Sequence, residues 1–269
     1  MRSIRGGSGF GDSIYLQSVA RHFVQRGERL EVCSNFPDIF RPLGDKVTLS
    51  PFRKTRVDIL AHYSERRRIT ATDQFQDCCV AAGIREPVDQ HIDWTLLNEA
   101  LADECRRPGK PVIVVQMPRA PFGRADGFGM EFLPDCRVIQ MAIDAIGARA
   151  TFVQVGKGDA LFRFRGIDLD LTNRTTVADV LDVSSIADGF LGYCSFIVPL
   201  AESFKQEALL VWSRRGLQSR TEIIRTMTPQ KILHRPSCRY VIDDCSEAEL
   251  HGAVNAFLDA VGGGRAVQG

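Results

Sequence analysis

The chain has 269 residues, enough for one large domain or for two α/β halves with a sizeable core. Hydrophobic residues make up 44% and charged residues 25%, values typical of a globular protein, and the formal net charge is +1. A near-neutral chain lacks the global electrostatic attraction expected of a protein that binds nucleic acid or a membrane surface. The one run of three cations, Arg66 to Arg68, is typical of a solvated helix end.

The sequence does not predict a targeting or membrane segment. No apolar stretch follows Met1, and no apolar run approaches the roughly 18 residues that a membrane helix needs. The eight cysteines are scattered and form no CxxC pair, which is typical of reduced, buried thiols and not of a zinc site. We therefore expect a cytoplasmic protein without stable membrane insertion, bound metal or cofactor.

The first third of the chain alternates strands and helices. Apolar residues recur at helical spacing from Asp12 to Arg26, and Gly27 ends that helix. Further along we expect strands at 30–33 and 57–60 and helices near 73–82 and 94–105.

A linker and a strong strand mark the middle of the chain. Residues 106–111 contain two prolines, a glycine and three cations, and the β-branched run Val112–Val115 predicts a strand buried on both faces. We therefore predict domains at 1–107 and 108–269. In the second, we expect helices at 136–146, 176–186, 198–204 and 247–261, the last ended by Gly262–Gly264, and strands at 150–155, 189–192 and 208–212. This alternation predicts two doubly wound, Rossmann-like α/β domains that face a cleft.

A glycine-rich turn opens the chain, with glycines at positions 6, 7, 9 and 11. Such a turn lets the backbone approach an anion, and the N–H groups at the start of the next helix face it. It is neither a Walker loop nor a GxGxxG motif, and a tight turn without a ligand is the alternative. Asp12 would cap the helix, and at the mouth of a cleft it would suit a general base. The candidate substrate-binding residues of this turn are Gly9, Gly11 and Ser13.

A second candidate stretch, 116–129, follows the strongest strand, where open α/β sheets bind ligands. Arg119 and Arg124 would hold a diphosphate there through charge-assisted hydrogen bonds. The alternative is a surface loop with incidental arginines. Lys157 follows a later strand and is a candidate at the edge of the cleft or an ordinary turn lysine, and His62 follows the end of an earlier strand.

A third candidate stretch lies near the 176–186 helix, which Thr175 or Thr176 would cap together with Asp179. Beyond it, the turn that contains Cys194 and Ser195 would present backbone amides to a ligand phosphate, or would simply connect a strand to a helix. In that next helix, Glu202 is a candidate for contact with a ribose.

The order of these stretches resembles the ADP-heptose:lipopolysaccharide heptosyltransferases, glycosyltransferase family nine. Gly11-Asp12-Ser13-Ile14 matches the Gly-Asp turn that precedes an apolar helix in that family. Residues 171–180, LTNRTTVADV, are similar to its L-T-x-x-T-S-L-x-x-L segment, and residues 187–196, ADGFLGYCSF, to its A-D-x-x-V-G-N-D-S-G segment. Where the family has Asp, Gly and His, this chain has Cys194, Phe196 and Pro199.

The resemblance implies the GT-B fold and the transfer of a sugar, with inversion, from a nucleotide-diphosphate sugar to an acceptor hydroxyl. It implies that Asp12 deprotonates the acceptor and that no metal is needed, because Arg119, Arg124 and helix N-termini would stabilise the leaving diphosphate. The expected partners are a nucleotide-sugar donor and an acceptor that is a glycan, lipopolysaccharide or a modified nucleic acid.

Two other functions stay open at this point. A non-catalytic nucleotide- or glycan-binding protein would keep the two-domain shell, and the divergent Cys194-Ser195-Phe196 turn favours it. A Rossmann-type methyltransferase would use the glycine turn for its cofactor, but the predicted strand at 30–33 runs on into Ser34-Asn35 without an acidic residue.

Overall fold

The computed structural model describes residues 1–53, 56–63, 73–119, 130–219, 228–233 and 235–265, and two parallel sheets organise this part of the chain. The first sheet has the strand order β3-β2-β1-β4, with β1 at Arg2–Arg5, β2 at Leu30–Cys33, β3 at Val47–Ser50 and β4 at Ile59–Leu60. The second has the order β10-β9-β8-β5-β6-β7, with β5 at Val112–Gln116, β6 at Thr151–Val155, β7 at Leu169–Asp170, β8 at Gly189–Tyr193, β9 at Glu207–Trp212 and β10 at Cys238–Ile242.

Helices connect these strands. They are α1 (Phe10–Gln25), α2 (Gln74–Ala81), α3 (Glu99–Cys105), α4 (Cys136–Ile146), α5 (Val177–Ser185), α6 (Ile197–Phe204), α7 (Arg214–Leu217), α8 (Pro229–Ile232) and α9 (Glu247–Arg265), with 3-10 segments at Pro37–Lys46, Met130–Phe132 and Gly147–Arg149. In both sheets the strand order runs outward in two directions from the first strand, which is the doubly wound arrangement of Rossmann-like domains. The predicted fold class is confirmed.

The hydrophobic core continues from one sheet to the other. One cluster joins Ile4 of β1 and Val19 of α1 to Val114 of β5 and Leu200 of α6. A second cluster lies on the opposite face of the second sheet, beneath α4 and α9. Strand β5 is buried along its whole length, as its β-branched sequence predicts. All eight cysteines are free thiols and seven of them are buried, which confirms the expectation of buried thiols.

The segment before α3 has no regular secondary structure, although helical spacing predicts a helix from 94. Asp182 of α5 is only 1% exposed and its carboxylate accepts three hydrogen bonds from this segment. The donors are the Trp94 indole N–H (2.7 Å) and the backbone N–H groups of Leu97 and Asn98 (both 2.9 Å). These bonds hold residues 94–98 against α5, a helix of the second half. The domain division at 107 stays a prediction.

The other differences from the sequence-based elements are the short helices α7 and α8, the 3-10 segments, three edge strands and the ends of two helices. Strands β3, β7 and β10 were not predicted, and all three are edge strands. Edge strands are partly exposed and therefore lack a continuous apolar run. Helix α1 begins at Phe10, two residues before the predicted start, and α9 continues through Gly262–Gly264 to Arg265. Helices can include glycines, at a cost in backbone entropy.

We expect Asp182→Ala to lower the free energy of unfolding by about 3 kcal/mol, because it leaves three N–H donors without their acceptor. Urea denaturation measures this loss. The matched control is Asp259→Ala on the exposed face of α9, which should change stability by less than about 0.5 kcal/mol. Equal losses in the two variants would show that Asp182 does not anchor this segment.

Candidate active site

The candidate residues gather where the strand order of each sheet reverses. In an open parallel sheet, the crevice for a ligand lies outside the carboxyl ends of the strands at this switch point. The first sheet switches between β1 and β4, and the second switches between β5 and β8. The Gly6–Asp12 turn follows β1 and His62 follows β4, whereas Arg119 follows β5 and the Cys194-Ser195 turn follows β8.

The glycine turn holds Asp12 in place. Gly9 is the N-cap residue of α1, and the Asp12 carboxylate returns to it, with Oδ2 accepting the Gly9 N–H at 3.1 Å. Asp12 thus satisfies one of the orphan amides of the first turn from the third helical position. A Cβ at Gly7 would lie 2.1 Å from Asp12 Oδ2 and 2.6 Å from His62 Nε2, so only glycine leaves room for both side chains.

His62 lies beside the other oxygen of Asp12. The distance from His62 Nε2 to Asp12 Oδ1 is 3.6 Å, and the two side chains are 16% and 21% exposed. The imidazole stacks on the Tyr63 ring with 4.3 Å between centroids. Burial, reinforced by the charge of Asp12, raises the pKa of Tyr63 well above its ordinary value, and the same two causes raise the pKa of Cys78. Both groups therefore stay uncharged at neutral pH.

Two other candidates of this turn have structural partners. A Cβ at Gly11 would lie 3.3 Å from Pro199 Cγ and 3.5 Å from the Phe196 Cα, so Gly11 is the point where α1 meets α6. Ser13 is buried, and its hydroxyl shares a hydrogen bond with the Ser34 hydroxyl at 3.0 Å. Gly11 thus packs closely against α6 and Ser13 makes an internal hydrogen bond, and contact of either residue with substrate stays a prediction.

Aromatic rings connect the two halves at the same place. The Phe10 ring lies 5.3 Å from the Phe196 ring and 5.3 Å from the Phe36 ring, measured between centroids. Phe196 precedes α6, Phe10 begins α1 and Phe36 follows β2. The start of α6 is therefore covered by the first half of the chain.

The second sheet brings Arg119 and Lys157 together. The Arg119 guanidinium donates to the Lys157 carbonyl at 2.8 Å, and the Arg119 backbone N–H donates to the Tyr193 hydroxyl at 3.2 Å. Asn173 holds the loop of Lys157, since its side-chain amide exchanges two hydrogen bonds with the Gly158 backbone. The Lys157 side chain is exposed, so a cationic edge follows β5 and β6. Arg124 lies outside the described residues.

The turn after β8 makes contacts within the protein. The Gln116 amide of β5 donates to the Ser195 hydroxyl, and among the described residues no partner lies within hydrogen-bonding distance of the buried Gln116 Oε1. Burial raises the pKa of Cys194 to about 12, so this thiol is uncharged at neutral pH. Cys194 cannot therefore supply the negative charge that an aspartate would have at this position.

Glu202 is buried on α6 and does not face an open cleft. Its carboxylate accepts the Arg235 backbone N–H at 3.4 Å and hydrogen-bonds the thiol of Cys238. Burial, together with the charge of Glu202, raises the pKa of that thiol. These contacts lie inside the protein, and contact of Glu202 with a ribose stays a prediction.

Several parts of this region did not stand out in the sequence. Phe10 and Gln116 belong to candidate stretches in which glycines and charges are the recognisable signal, and Phe36 lies outside every candidate stretch. Among the residues that the structure describes, no three His, Cys, Asp or Glu side chains cluster so as to hold a metal ion. In the same part of the chain, no helix combines the length and apolar character needed to cross a bilayer.

Comparison with known proteins identifies the fold. No family model and no curated protein matches the sequence. Among solved structures, the E. coli ADP-heptose lipopolysaccharide heptosyltransferase II aligns with a TM-score of 0.63 and 12% identity, over 96% of this chain and 98% of its own. The iron-containing dodecameric heptosyltransferase TibC of enterotoxigenic E. coli, in complex with ADP-D-β-D-heptose, aligns with a TM-score of 0.64 and 12% identity, over 96% and 76%.

A family 9 glycosyltransferase from Veillonella parvula aligns with a TM-score of 0.62 and 8% identity, over 96% of this chain and 97% of its own. These alignments span both sheets, and therefore both halves of the chain. The chain has the two-domain GT-B fold of these glycosyltransferases.

Proposed function

We propose that this protein is a glycosyltransferase that moves a sugar from a nucleotide-diphosphate sugar to an acceptor hydroxyl, with inversion and without a metal. The observation that carries the proposal is the position of Asp12. Its carboxylate is held at the first switch point of a chain whose fold is that of heptosyltransferases, one of them in complex with ADP-D-β-D-heptose. We place the protein in the cytoplasm.

The reaction needs a base on the acceptor side. Asp12 is partly exposed and would accept the proton of the acceptor hydroxyl as its oxygen attacks the anomeric carbon of the donor. The bond between that carbon and the diphosphate oxygen breaks, and the nucleoside diphosphate leaves with the electron pair. Attack on the face opposite the leaving group inverts the anomeric centre.

The leaving diphosphate needs positive charge. Arg119 and Lys157 stand together at the carboxyl ends of β5 and β6 and would stabilise the developing charge by charge-assisted hydrogen bonds. Arg124 is proposed for the same role from its sequence position. The proposed acceptors are a glycan, lipopolysaccharide or a modified nucleic acid.

A non-catalytic nucleotide- or glycan-binding protein is the second candidate. The contact of Phe196 with Gly11 and Phe10 favours the glycan-binding form of this candidate, because a nucleotide phosphate at the start of α6 would have to displace that contact. A thermal-shift screen with ADP-, UDP- and GDP-sugars, followed by assays for nucleotide release, separates the two. Stabilisation without release would favour the binding protein, and stabilisation by S-adenosylmethionine alone would favour a methyltransferase.

We expect Asp12→Asn to lower kcat about 100- to 10,000-fold, because the amide cannot take the acceptor proton. Release of ADP from ADP-D-β-D-heptose, with water as acceptor, measures this loss. The asparagine carbonyl can still accept the Gly9 N–H, so the melting temperature should change little. The control is Asp45→Asn, an exposed carboxylate of the same half. Unchanged turnover in Asp12→Asn would refute the assignment of the base.

We expect Arg119→Ala to weaken ADP binding about 10- to 100-fold, as expected for the loss of a charge-assisted contact with phosphate. Isothermal titration calorimetry measures the Kd. Asn173 still holds the Lys157 loop in this variant, so the fold should persist. The matched control, Arg163→Ala, removes an exposed arginine from the connection between β6 and β7. Equal affinity in all three proteins would place the diphosphate elsewhere.

A further inference from the structure

We propose that His62 is a positioning residue for the transfer reaction, acting through Asp12, and that deprotonation of the acceptor requires the neutral form of its imidazole. This inference rests on the proposed function. The proposed mechanism uses Asp12 as the base and cationic side chains for the diphosphate, and it gives His62 no role. Its basis is the geometry of the first switch point.

The two oxygens of Asp12 have different neighbours. Oδ2 accepts the Gly9 N–H at 3.1 Å, and Oδ1 lies 3.6 Å from His62 Nε2. A carboxylate has about four lone-pair sites, so these two neighbours leave room for an acceptor hydroxyl. The helix cap fixes one end of the carboxylate, and the imidazole lies against the other.

The fold brings these two side chains together from positions 50 residues apart in the sequence. The β1–β4 pairing aligns Arg5 with Leu60, and the Ala61 N–H donates to the Arg5 carbonyl at 2.8 Å. This pairing places the residue after Ala61 beside the glycine turn. Gly7 provides the space, since a Cβ there would collide with both Asp12 and His62.

Three buried ionisable groups around this pair are neutral at neutral pH. Tyr63 stacks on the imidazole, Cys78 reaches the cluster from α2, and Cys194 reaches it from the end of β8. Burial raises the pKa of all three above its ordinary value. Asp77, next to Cys78 on α2, is a further carboxylate on this side, and its charge also raises the pKa of Cys78.

The charge state of His62 has a direct consequence for Asp12. A histidine ordinarily changes charge between pH 5 and 8. Imidazolium at 3.6 Å stabilises the carboxylate as an ion pair and so weakens it as a base. The neutral ring orients the carboxylate without this penalty. A positive charge on His62 should therefore lower the activity.

The first experiment measures the pH dependence of ADP release from ADP-D-β-D-heptose in four proteins: wild type, His62→Gln, His62→Ala and the control His251→Gln. Glutamine keeps an N–H donor near the Nε2 position but does not titrate. His251 lies on the exposed face of α9, where its Nε2 is 3.8 Å from Glu247 Oε1.

We expect wild type and His251→Gln to lose activity on the acid side between pH 5 and 8. His62→Gln should retain activity near the wild-type value at pH 8 and should lose this acid limb. His62→Ala should lower kcat about 10- to 100-fold, with KM nearly unchanged, because the carboxylate loses its orientation. An acid limb in His62→Gln identical to that of wild type would overturn the inference.

The second experiment does not need turnover. Melting temperatures of wild type, Asp12→Asn, His62→Gln and the double variant are compared at pH 6 and pH 8. We expect non-additive shifts that are larger at pH 6, where the imidazolium pairs with the carboxylate. Additive shifts at both pH values would show that the two side chains are not coupled. If no nucleotide sugar is turned over by wild type, the proposed function fails, and this cycle still decides whether the pair exists.

Discussion

The contact between the first turns of α1 and α6 determines how the two halves of the molecule meet. Gly11 has no side chain, so α1 approaches Phe196 and Pro199 closely, and the Phe10 ring extends the contact. Both sheets are parallel, and each turn follows the carboxyl end of a strand at a switch point. This contact therefore places the carboxyl ends of the first sheet's strands, where Asp12 lies, next to the carboxyl ends of the second sheet's strands.

The segment between the halves strengthens the same arrangement. The Gln90 side-chain amide donates to the Pro199 carbonyl and to the Ser203 hydroxyl on α6, both at 3.2 Å, while Asp182 of α5 accepts the Trp94 indole. These bonds are buried or partly buried, where a lost partner is costly. A ligand phosphate at Arg119 and Lys157 would leave the contact between α1 and α6 intact. A phosphate at the start of α6 would not.

The sequence predicted correctly those features that depend on interactions between residues close together in the chain. Thr176 and Asp179 form the predicted capping box, with the Thr176 hydroxyl and the Asp179 carboxylate satisfying each other's backbone N–H. Strand β5 is buried as its β-branched residues predict, and helix α4 has the predicted bounds. The sequence does not predict the edge strands β3 and β10, because partly exposed strands do not show a continuous apolar pattern.

The sequence by itself determined the alternation of strands and helices, the two Rossmann-like halves and the glycine turn that ends at Asp12. These features follow from periodicity, glycine content and caps, which act over a few residues. Only the tertiary structure decided which side chains meet. His62 reaches Asp12 through strand pairing, Asp182 receives Trp94 across 88 residues, and Glu202 is buried with Cys238. Contacts at such separations depend on how sheets and helices pack, and no local pattern encodes that.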